Sequence, residues 1–396
     1  MKLVFVANRI PYPPFRGDKL KIFNLARCLA PEHELHLITF YETEKERTYE
    51  SNLNAVFTSV TLIPLPKWRC LLNTALTVFL PSTPFQVGYF RSKKFRQILQ
   101  KTLDQLQPDG IHVQHLRMAQ QIPKGYRPIT LLDLPDAISM YYERRANHTG
   151  TPWTKLALRS ETKRLKRYEH QILPLFPKVL CCSAEDGQHI QTVHPQTQVG
   201  ILENGVDTIT YAPRIQERPV SPKLLFTGNM EYAPNVDAVQ YFADEIFPSI
   251  QALYPAVVFE IAGQKPIPQV LALANRPGIA VTGFIPNLAD AYATATIVVA
   301  PLRFGAGTQN KVLEALSMNI PVVCTPIGFH GIGLIHGEGI WCEDTTDSLR
   351  NRILHLLSEP EKTKMLAEAA GHTIRQRFNW HTIAKQLLVY FEEIHQ

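Results

Sequence analysis

The segment Pro301-Leu-Arg-Phe-Gly-Ala-Gly-Thr-Gln-Asn-Lys-Val-Leu-Glu-Ala315 holds the densest set of residues able to do chemistry. Gly305 and Gly307 let backbone N–H groups approach a ligand closely. A helix expected to begin near Gln309 aims its positive end at the same spot, a favourable place for an anion. Arg303 and Lys311 bracket the turn with two cations. Glu314 follows one helical turn after Asn310 and Lys311, where its carboxylate can accept hydrogen bonds from sugar hydroxyls. Phosphates, a ribose and a positive cradle fit together here. The same residues also describe a helix cap with a solvated lysine and an exposed glutamate, and glycine-rich loops are individually weak signals.

Two neighbouring loops have related features. In Phe226-Thr-Gly-Asn-Met-Glu-Tyr-Ala-Pro-Asn235, Gly228 permits a backbone position denied to other residues, and Asn235 reads as a helix N-cap. Thr282-Gly-Phe-Ile-Pro286 offers backbone groups and an apolar edge to a base. Plain strand-to-helix turns account for both loops as well. In the first half, Arg9-Ile-Pro-Tyr-Pro-Pro-Phe-Arg-Gly-Asp18 is stiffened by proline, Gly17 marks a close approach, and Asp18 caps a helix. Asp133-Leu-Pro-Asp136 places carboxylates where one can accept a proton or support developing positive charge. It is equally an N-cap ahead of Ala137–Arg145. His112 and His115 have odd spacing and point to opposite faces of a strand, so they are no metal pair. His115 is the candidate for a site, and His112 reads as a satisfied polar residue.

The elements that must position these loops alternate between short β-rich runs and helices, the pattern of parallel α/β sheets. Strands are expected at Leu3–Ala7, Leu35–Phe40, Val60–Pro64, Gly110–Val113, Ile129–Leu132, Val179–Cys182 and Val199–Leu202. Helices between them include Lys19–Leu29, Phe90–Leu106 and Lys155–Leu173. A polar segment with Pro213, Arg218-Pro219 and Ser221-Pro222 reads as a linker. The pattern then restarts with strands at Leu224–Phe226, Val257–Ala262, Ile279–Val281, Ile297–Ala300, Pro321–Cys324 and Gly339–Trp341. Helices follow at 236–252, 310–318, 346–357 and 360–377, and Trp380–Ile394 is apolar on one face. A chain of 396 residues suits two domains. The reading is α/β, with two Rossmann-like doubly wound domains whose loops face a cleft.

Composition removes several classes of function. Six scattered cysteines show no C-x-x-C pair, which argues against a zinc site or a disulfide framework and for reduced thiols. The apolar start Met1–Ala7 is too short for a signal peptide and reads as a buried strand. The stretch Cys70–Leu80 falls short of the roughly 20 residues that span a bilayer. Residues 1–200 carry 27 Lys/Arg against 16 Asp/Glu, whereas residues 201–396 carry 14 against 19, so the first half faces something anionic. Lys155, Arg159, Lys163 and Arg167 recur every four residues on one side of a helix. With the apolar residues of 67–96 they suit an anionic membrane surface, although charge runs are often solvated faces. Nucleic-acid binding is disfavoured, because the basic helix lacks interleaved aromatics and no reading motif is evident.

Taken in order, G-N-M…P-N, V-T-G-F-I, P-L-R-x-G-x-G-T-x-x-K-V-L-E-A-L and P-V-V-C-T-P-x-G resemble the retaining family 4 glycosyltransferases of the GT-B fold, particularly those of exopolysaccharide systems. Glu203-Asn-Gly-Val-Asp207 resembles the segment that ends the first domain in that family, and the helix opening at Trp380 resembles one that crosses back to it. The resemblance implies an acceptor domain at 1–207, a nucleotide-sugar domain at 208–378 and a returning helix at 379–396. It implies that Glu314 binds the ribose, Arg303 and Lys311 hold the diphosphate, and the backbone of Gly305, Ala306, Gly307 and Thr308 touches phosphate and sugar. It further assigns Gly283, Phe284 and Ile285 to the base, Gly228 and Asn229 to the donor, and Gly17 to the donor phosphates. Asp136, His115 and Asp133 are the catalytic candidates. The first glutamate of the paired pattern common in the family is replaced by Ala306. The implied reaction moves a sugar from a UDP- or GDP-sugar to a glycan or lipid-linked acceptor, with retention and without cofactor or metal, in the cytoplasm at the inner face of the membrane. An inactive nucleotide-sugar-binding scaffold and a sugar-nucleotide epimerase are the alternatives.

Overall fold

The computed structural model describes residues 1–148, 150–214 and 221–395, so Arg218-Pro219 of the expected linker lies outside the described residues. The chain divides into two compact units, Met1–Asn204 with Trp380–Gln396, and Gly205–Asn379. Each is a parallel sheet with helices, the two Rossmann-like domains read from the alternating pattern.

In the first unit the strands are β1 Lys2–Ala7, β2 Glu34–Tyr41, β3 Ser59–Pro64, β4 Gly110–Gln114, β5 Thr130–Leu134, β6 Lys178–Cys181 and β7 Val199–Ile201. Their order is β3-β2-β1-β4-β5-β6-β7, with every pairing parallel. Leu3, Val4, Phe5 and Val6 are fully buried, as are Ile111 and Val113, because helices cover both faces of a parallel sheet. The chain winds outward from β1 to β3 and then returns to the other side at β4. The order therefore reverses between β1 and β4, and that is where such sheets place ligands.

The last helix, Trp380–Glu393, belongs to this unit although it ends the chain. Its buried stripe of Trp380, Ile383, Ala384, Leu387 and Phe391 joins the cluster of Ile22, Leu25, Ala26 and Leu29 from the helix Gly17–Leu29. Burying side chains such as Leu387 and Phe391 contributes roughly 1.5–3 kcal/mol each. Gly110 makes this contact possible: a Cβ there would come within 2.5 Å of the Phe391 ring. Tyr390 adds polar register, since its hydroxyl donates to Ile201 O and accepts from Ile201 N, both at 3.0 Å.

One charged group sits inside this core. Lys21 of the helix Gly17–Leu29 donates from Nζ to Asp133 Oδ1 at 2.9 Å and to Leu202 O at 2.8 Å. His112 Nε2 lies 3.1 Å from the other Asp133 oxygen. Burial would raise the Asp133 carboxyl, but Lys21 and His112 outweigh it and hold it below its ordinary value. Asp133 is therefore not the accessible carboxylate expected from its position after a strand. It is fully buried and ties the helix Gly17–Leu29 to β4 and β5. Removing one member of such a set strands a buried charge, a loss of about 3–5 kcal/mol.

The second unit contains β8 Lys223–Thr227, β9 Val258–Ala262, β10 Ile279–Gly283, β11 Ile297–Ala300, β12 Val322–Cys324 and β13 Ile340–Cys342. The order is β10-β9-β8-β11-β12-β13, again all parallel. Its reversal lies between β8 and β11. The helix expected over 236–252 is interrupted: Ala233–Tyr241 is followed by a wider turn at Phe242–Ile246 and by Phe247–Leu253. Pro248 accounts for the break, since it has no N–H to continue the helical ladder.

Candidate functional site

The loops beyond β8 and β11 bring most of the second-half candidates together. β8 ends at Thr227, and the chain turns through Gly228 and Asn229. Gly228 N donates to Ala262 O at 3.0 Å. Gly263, at φ +145°, follows β9, and a Cβ on it would lie only 1.7 Å from Gly228 O. Only glycine allows the two strand ends to approach so closely. Asn235 is not the helix cap expected for it. It lies within the helix Ala233–Tyr241, whose N-cap is Tyr232. Its Nδ2 donates to Asn229 O at 3.0 Å, and its Oδ1 accepts from Lys311 Nζ at 2.7 Å. One side chain thus ties the β8 loop to the lysine after β11.

Lys311 is almost completely buried, with Nζ 4.2 Å from the centre of the Phe226 ring. Burial pushes its ammonium down to about 7, against the pull of Glu314. It stands in the first turn of the helix Asn310–Ser317, where unpaired N–H groups favour an anion. Gly307 precedes that helix at φ +74°, a left-handed position, while Ala306 and Thr308 are buried and Gly305 has φ +154°. The expected cationic turn is present.

Glu314 is partly buried and is held by two tyrosines that sequence reading passed over. Tyr292 donates to Glu314 Oε2 at 2.8 Å, and the Tyr211 hydroxyl also donates to this carboxylate. The tyrosine rings meet edge to face, with centroids 5.8 Å apart. Thr227, at the end of β8, lies 2.6 Å from the Tyr292 hydroxyl. With the tyrosine proton given to Glu314, the threonine hydroxyl is the donor in that pair. Burial pushes the Glu314 carboxyl up to about 7, partly offset by Tyr292, Lys311 and Tyr211.

Arg303 is oriented from the helix Ala233–Tyr241. Its Nε and Nη2 donate to the two oxygens of Asp237 at 2.9 and 2.6 Å, and its guanidinium lies 4.6 Å from the Tyr241 ring centre. Asp237 and Tyr241 are four residues apart on one helix face. That pairing uses two of the five guanidinium N–H groups. Phe284 and Ile285 stand after β10, the edge strand, and are not beside the β8–β11 reversal. Phe284 is half exposed, and Ile285 packs partly against the core. Gly263 N donates to Gly283 O at 2.8 Å, which joins the β9 and β10 loops.

The first unit gathers its own set beyond β1, β4 and β5. Gly17 opens the helix Gly17–Leu29 and is exposed. Asp18 faces two cations, Arg9 Nε at 3.4 Å and Arg16 Nε at 3.7 Å, and the imidazole His115 Nε2 at 3.6 Å. Burial would raise the Asp18 carboxyl, but His115 and Arg9 outweigh it and hold it far below the usual carboxylate range. His115 has φ +76°, and its own N–H donates to Asp133 O at 2.8 Å. Burial and the nearby Arg117 push its imidazole down to about 4, so it is neutral at pH 7. Asp136, two residues beyond β5, behaves in the opposite way. Burial, with repulsion from Asp186 and Asp18, pushes its carboxyl up to about 7. Such a group exchanges a proton near neutrality. Lys155, Arg159, Lys163 and Arg167 lie on the helix Pro152–Ile172, all exposed except the half-buried Lys155.

Comparison with known proteins places these loops in context. Residues 221–359 match the family described as Glycosyl transferases group 1. A Klebsiella pneumoniae protein described as an uncharacterized 44.6 kDa protein in the cps region is 22% identical over 85% of this chain and 86% of its own length. Sucrose-phosphate synthase from Thermosynechococcus elongatus superposes over 100% of this chain and 99% of its own, with TM-score 0.72 and 14% identity. Anabaena HepE in complex with UDP does so over 99% and 100%, with TM-score 0.67 and 14% identity. HepE in complex with UDP-glucose gives TM-score 0.66 at 14% identity, over 99% and 100%. The fold is that of GT-B glycosyltransferases, and the second unit carries a group 1 glycosyl transferase domain.

Tyr292→Phe tests the clamp on Glu314. Removing a donor to the charged form raises the Glu314 carboxyl above about 7, read from the ¹³C shift of its carboxyl during a pH titration. The buried Thr227 hydroxyl loses its partner too, so denaturant unfolding should show a loss of about 1–3 kcal/mol. An unchanged titration would mean that the tyrosine does not hold this carboxylate.

Proposed function

We propose that this chain, whose second unit is a group 1 glycosyl transferase domain, moves a sugar from a UDP- or GDP-sugar to a hydroxyl of a glycan or lipid-linked acceptor, with retention of configuration. Synthesis of a cell-surface polysaccharide or glycolipid is the setting, supported by the likeness to a protein of a cps region and by the resemblance to exopolysaccharide transferases. HepE, with the same fold, is known in complex with UDP and with UDP-glucose, which supports a nucleotide-sugar donor.

The observation that carries this reading is the convergence of Lys311 and Glu314 behind the Gly305–Thr308 turn, at the reversal between β8 and β11. Glu314, clamped by two tyrosines, presents its carboxylate to the vicinal hydroxyls of a ribose. Lys311, desolvated and partnered by the neutral Asn235, lacks a full counter-charge that a diphosphate supplies. The helix N-terminus and the turn N–H groups add fixed donors. Arg303, steadied by Asp237, meets the diphosphate with its remaining N–H groups. Charge developing on the leaving diphosphate is then met by protein groups, with no metal in the reaction.

In the first unit, Asp136 is the proposed base for the acceptor hydroxyl. Its carboxyl has no hydrogen-bond partner among the described residues, and its proton affinity suits transfer near pH 7. Peripheral contact with an anionic bilayer at the cytoplasmic face completes the reading. No helix of the described residues is long and apolar enough to cross a membrane. The helix Lys67–Leu76 and the turn after it expose Trp68, Leu71, Leu76 and Phe79, and the helix Pro152–Ile172 exposes Trp153 and Leu156. Arg164 joins the two by donating to Thr77 O at 2.8 Å and Leu80 O at 3.0 Å. Apolar side chains beside Arg159 and Lys163 suit an interface where each cation contributes about 1 kcal/mol.

Thermal unfolding with UDP, GDP, ADP and their sugar conjugates tests the donor site. One base should raise the midpoint selectively and without change on adding EDTA, by about 2.7 kcal/mol of stabilisation at a hundredfold excess over Kd. Glu314→Ala should abolish that shift; an intact shift would remove Glu314 from the site, and binding without turnover would favour the scaffold alternative. At saturating donor, kcat should rise with pH through about 7, because the base acts deprotonated. Asp136→Asn should lose this limb and about 10²–10⁴ in rate, whereas an unchanged profile would discard Asp136 as the base. Flotation with vesicles containing phosphatidylglycerol should carry the protein, and Arg159→Glu with Lys163→Glu should release it. Equal flotation of the variant would reject this basic face.

A further inference from the structure

The reversal of strand order between β1 and β4, in the first unit, is a place where parallel sheets hold ligands, and the charges around it do not balance. Arg9 stands two residues beyond β1 and Arg117 three residues beyond β4. Asp18 is the counter-ion shared by Arg9 and Arg16, and it also faces His115. Arg9 Nε is buried and, although 3.4 Å from Asp18 Oδ2, makes no hydrogen bond. Arg117 has no ion pair among the described residues; its guanidinium lies over the Phe90 ring, 5.5 Å from the centre. Burial and the charge of Arg9 lower it to about 10, so it stays charged at neutral pH. Asp136 is the carboxylate on the β5 side, and burial keeps much of it protonated near pH 7.

Arg117 is half-buried, and Asp18 and Asp136 attract it only from beyond ion-pair distance. A largely desolvated guanidinium without a paired counter-ion is costly, and arginine does not escape the cost by losing its proton. Such an arrangement is stable in a ligand site, where the missing charge arrives with the ligand. A guanidinium also presents parallel N–H groups that match the two oxygens of a phosphate or carboxylate.

We propose that the crevice beyond β1 and β4 receives an anionic group of the acceptor, a phosphate or a carboxylate, with Arg117 as its principal anchor and Arg9 beside it. The assignment to the acceptor rests on the transferase reading above. The anchored group fixes the acceptor so that a hydroxyl lies toward Asp136, which follows the neighbouring strand. A neutral glycan would leave Arg117 uncompensated and is selected against. The acceptor is thus a sugar phosphate or phosphate-linked lipid in one case, or a uronic acid in the other.

Calorimetric titration of the full chain, held saturated with UDP to occupy the donor pocket, tests this. Methyl phosphate, glucuronate and neutral methyl glucoside are the three probes. One anion should bind and the glucoside should not, with the phosphate arm separating a phosphorylated acceptor from a uronic acid. Arg117→Gln should weaken the anion roughly tenfold or more, Arg117→Lys should weaken it less, and neither should alter UDP affinity. Without anion, the melting temperature of Arg117→Gln should equal or exceed that of the parent, because an unpaired charge has gone. Equal anion binding by parent and Arg117→Gln, no heat from either anion, or a large fall in melting temperature would overturn the proposal. Failure of both UDP and GDP to bind would instead defeat the donor reading, and an Arg117-dependent anion signal would survive it; GDP replaces UDP in the titration if it is the base that binds.

Discussion

Burial of the central strands on both faces is the constraint that organises each unit. The interiors of β1, β4, β8 and β11 carry apolar side chains covered by helices, so functional polar groups collect where these strands end. The strand order then selects among the ends. At β1/β4 and at β8/β11 the connecting helices depart in opposite directions, leaving a crevice that backbone N–H groups and helix N-termini surround. Lys311, Glu314, Arg9, Arg117 and Asp136 all follow strands at or next to those two reversals.

The interior treats charge in two ways. Lys21, Asp133 and His112 satisfy one another within 3.1 Å, and Asp133 is held ionised. Lys311 and Glu314 are also desolvated, yet their immediate partners are neutral: Asn235 for the lysine, tyrosine hydroxyls for the glutamate. Neutral donors and acceptors orient an ionisable group without cancelling its charge, so burial moves both groups to about 7. The first arrangement supports the fold; the second leaves interaction energy uncancelled, which is what the proposed donor site uses. Asp136 and Arg117 belong with the second kind.

The supports of these groups come from elements distant in sequence. Tyr292 and Tyr211 flank Glu314 from positions 22 and about 100 residues earlier, and Thr227 completes the chain of hydroxyls from β8. Asn235 and Asp237, on one helix, fix Lys311 and Arg303. Nothing in their local spacing marks them as part of the site, because tyrosine, asparagine and aspartate at these positions are also ordinary helix and loop residues. They converge on Lys311, Glu314 and Arg303 only when the β8 and β11 loops become neighbours.

The local pattern was sufficient for much of this protein. Runs such as Ile297–Ala300 are too short and too uniformly apolar for anything but a buried parallel strand, and the glycines at 305 and 307 mark a turn open to a ligand. The position of Asp136 after a strand was legible for the same reason, since side-chain type and strand boundary are local properties. Tertiary structure decided which carboxylate is available. Asp133 and Asp136 lie three residues apart in one motif, but only the sheet shows that Lys21 and His112 consume the first while the second has no such partner. It also turned Asn235 from a cap into a bracket and left Arg117 over the Phe90 ring without an ion pair among the described residues. Burial and electrostatic partnership depend on groups brought together from far along the chain, and neither composition nor spacing encodes which of them will meet.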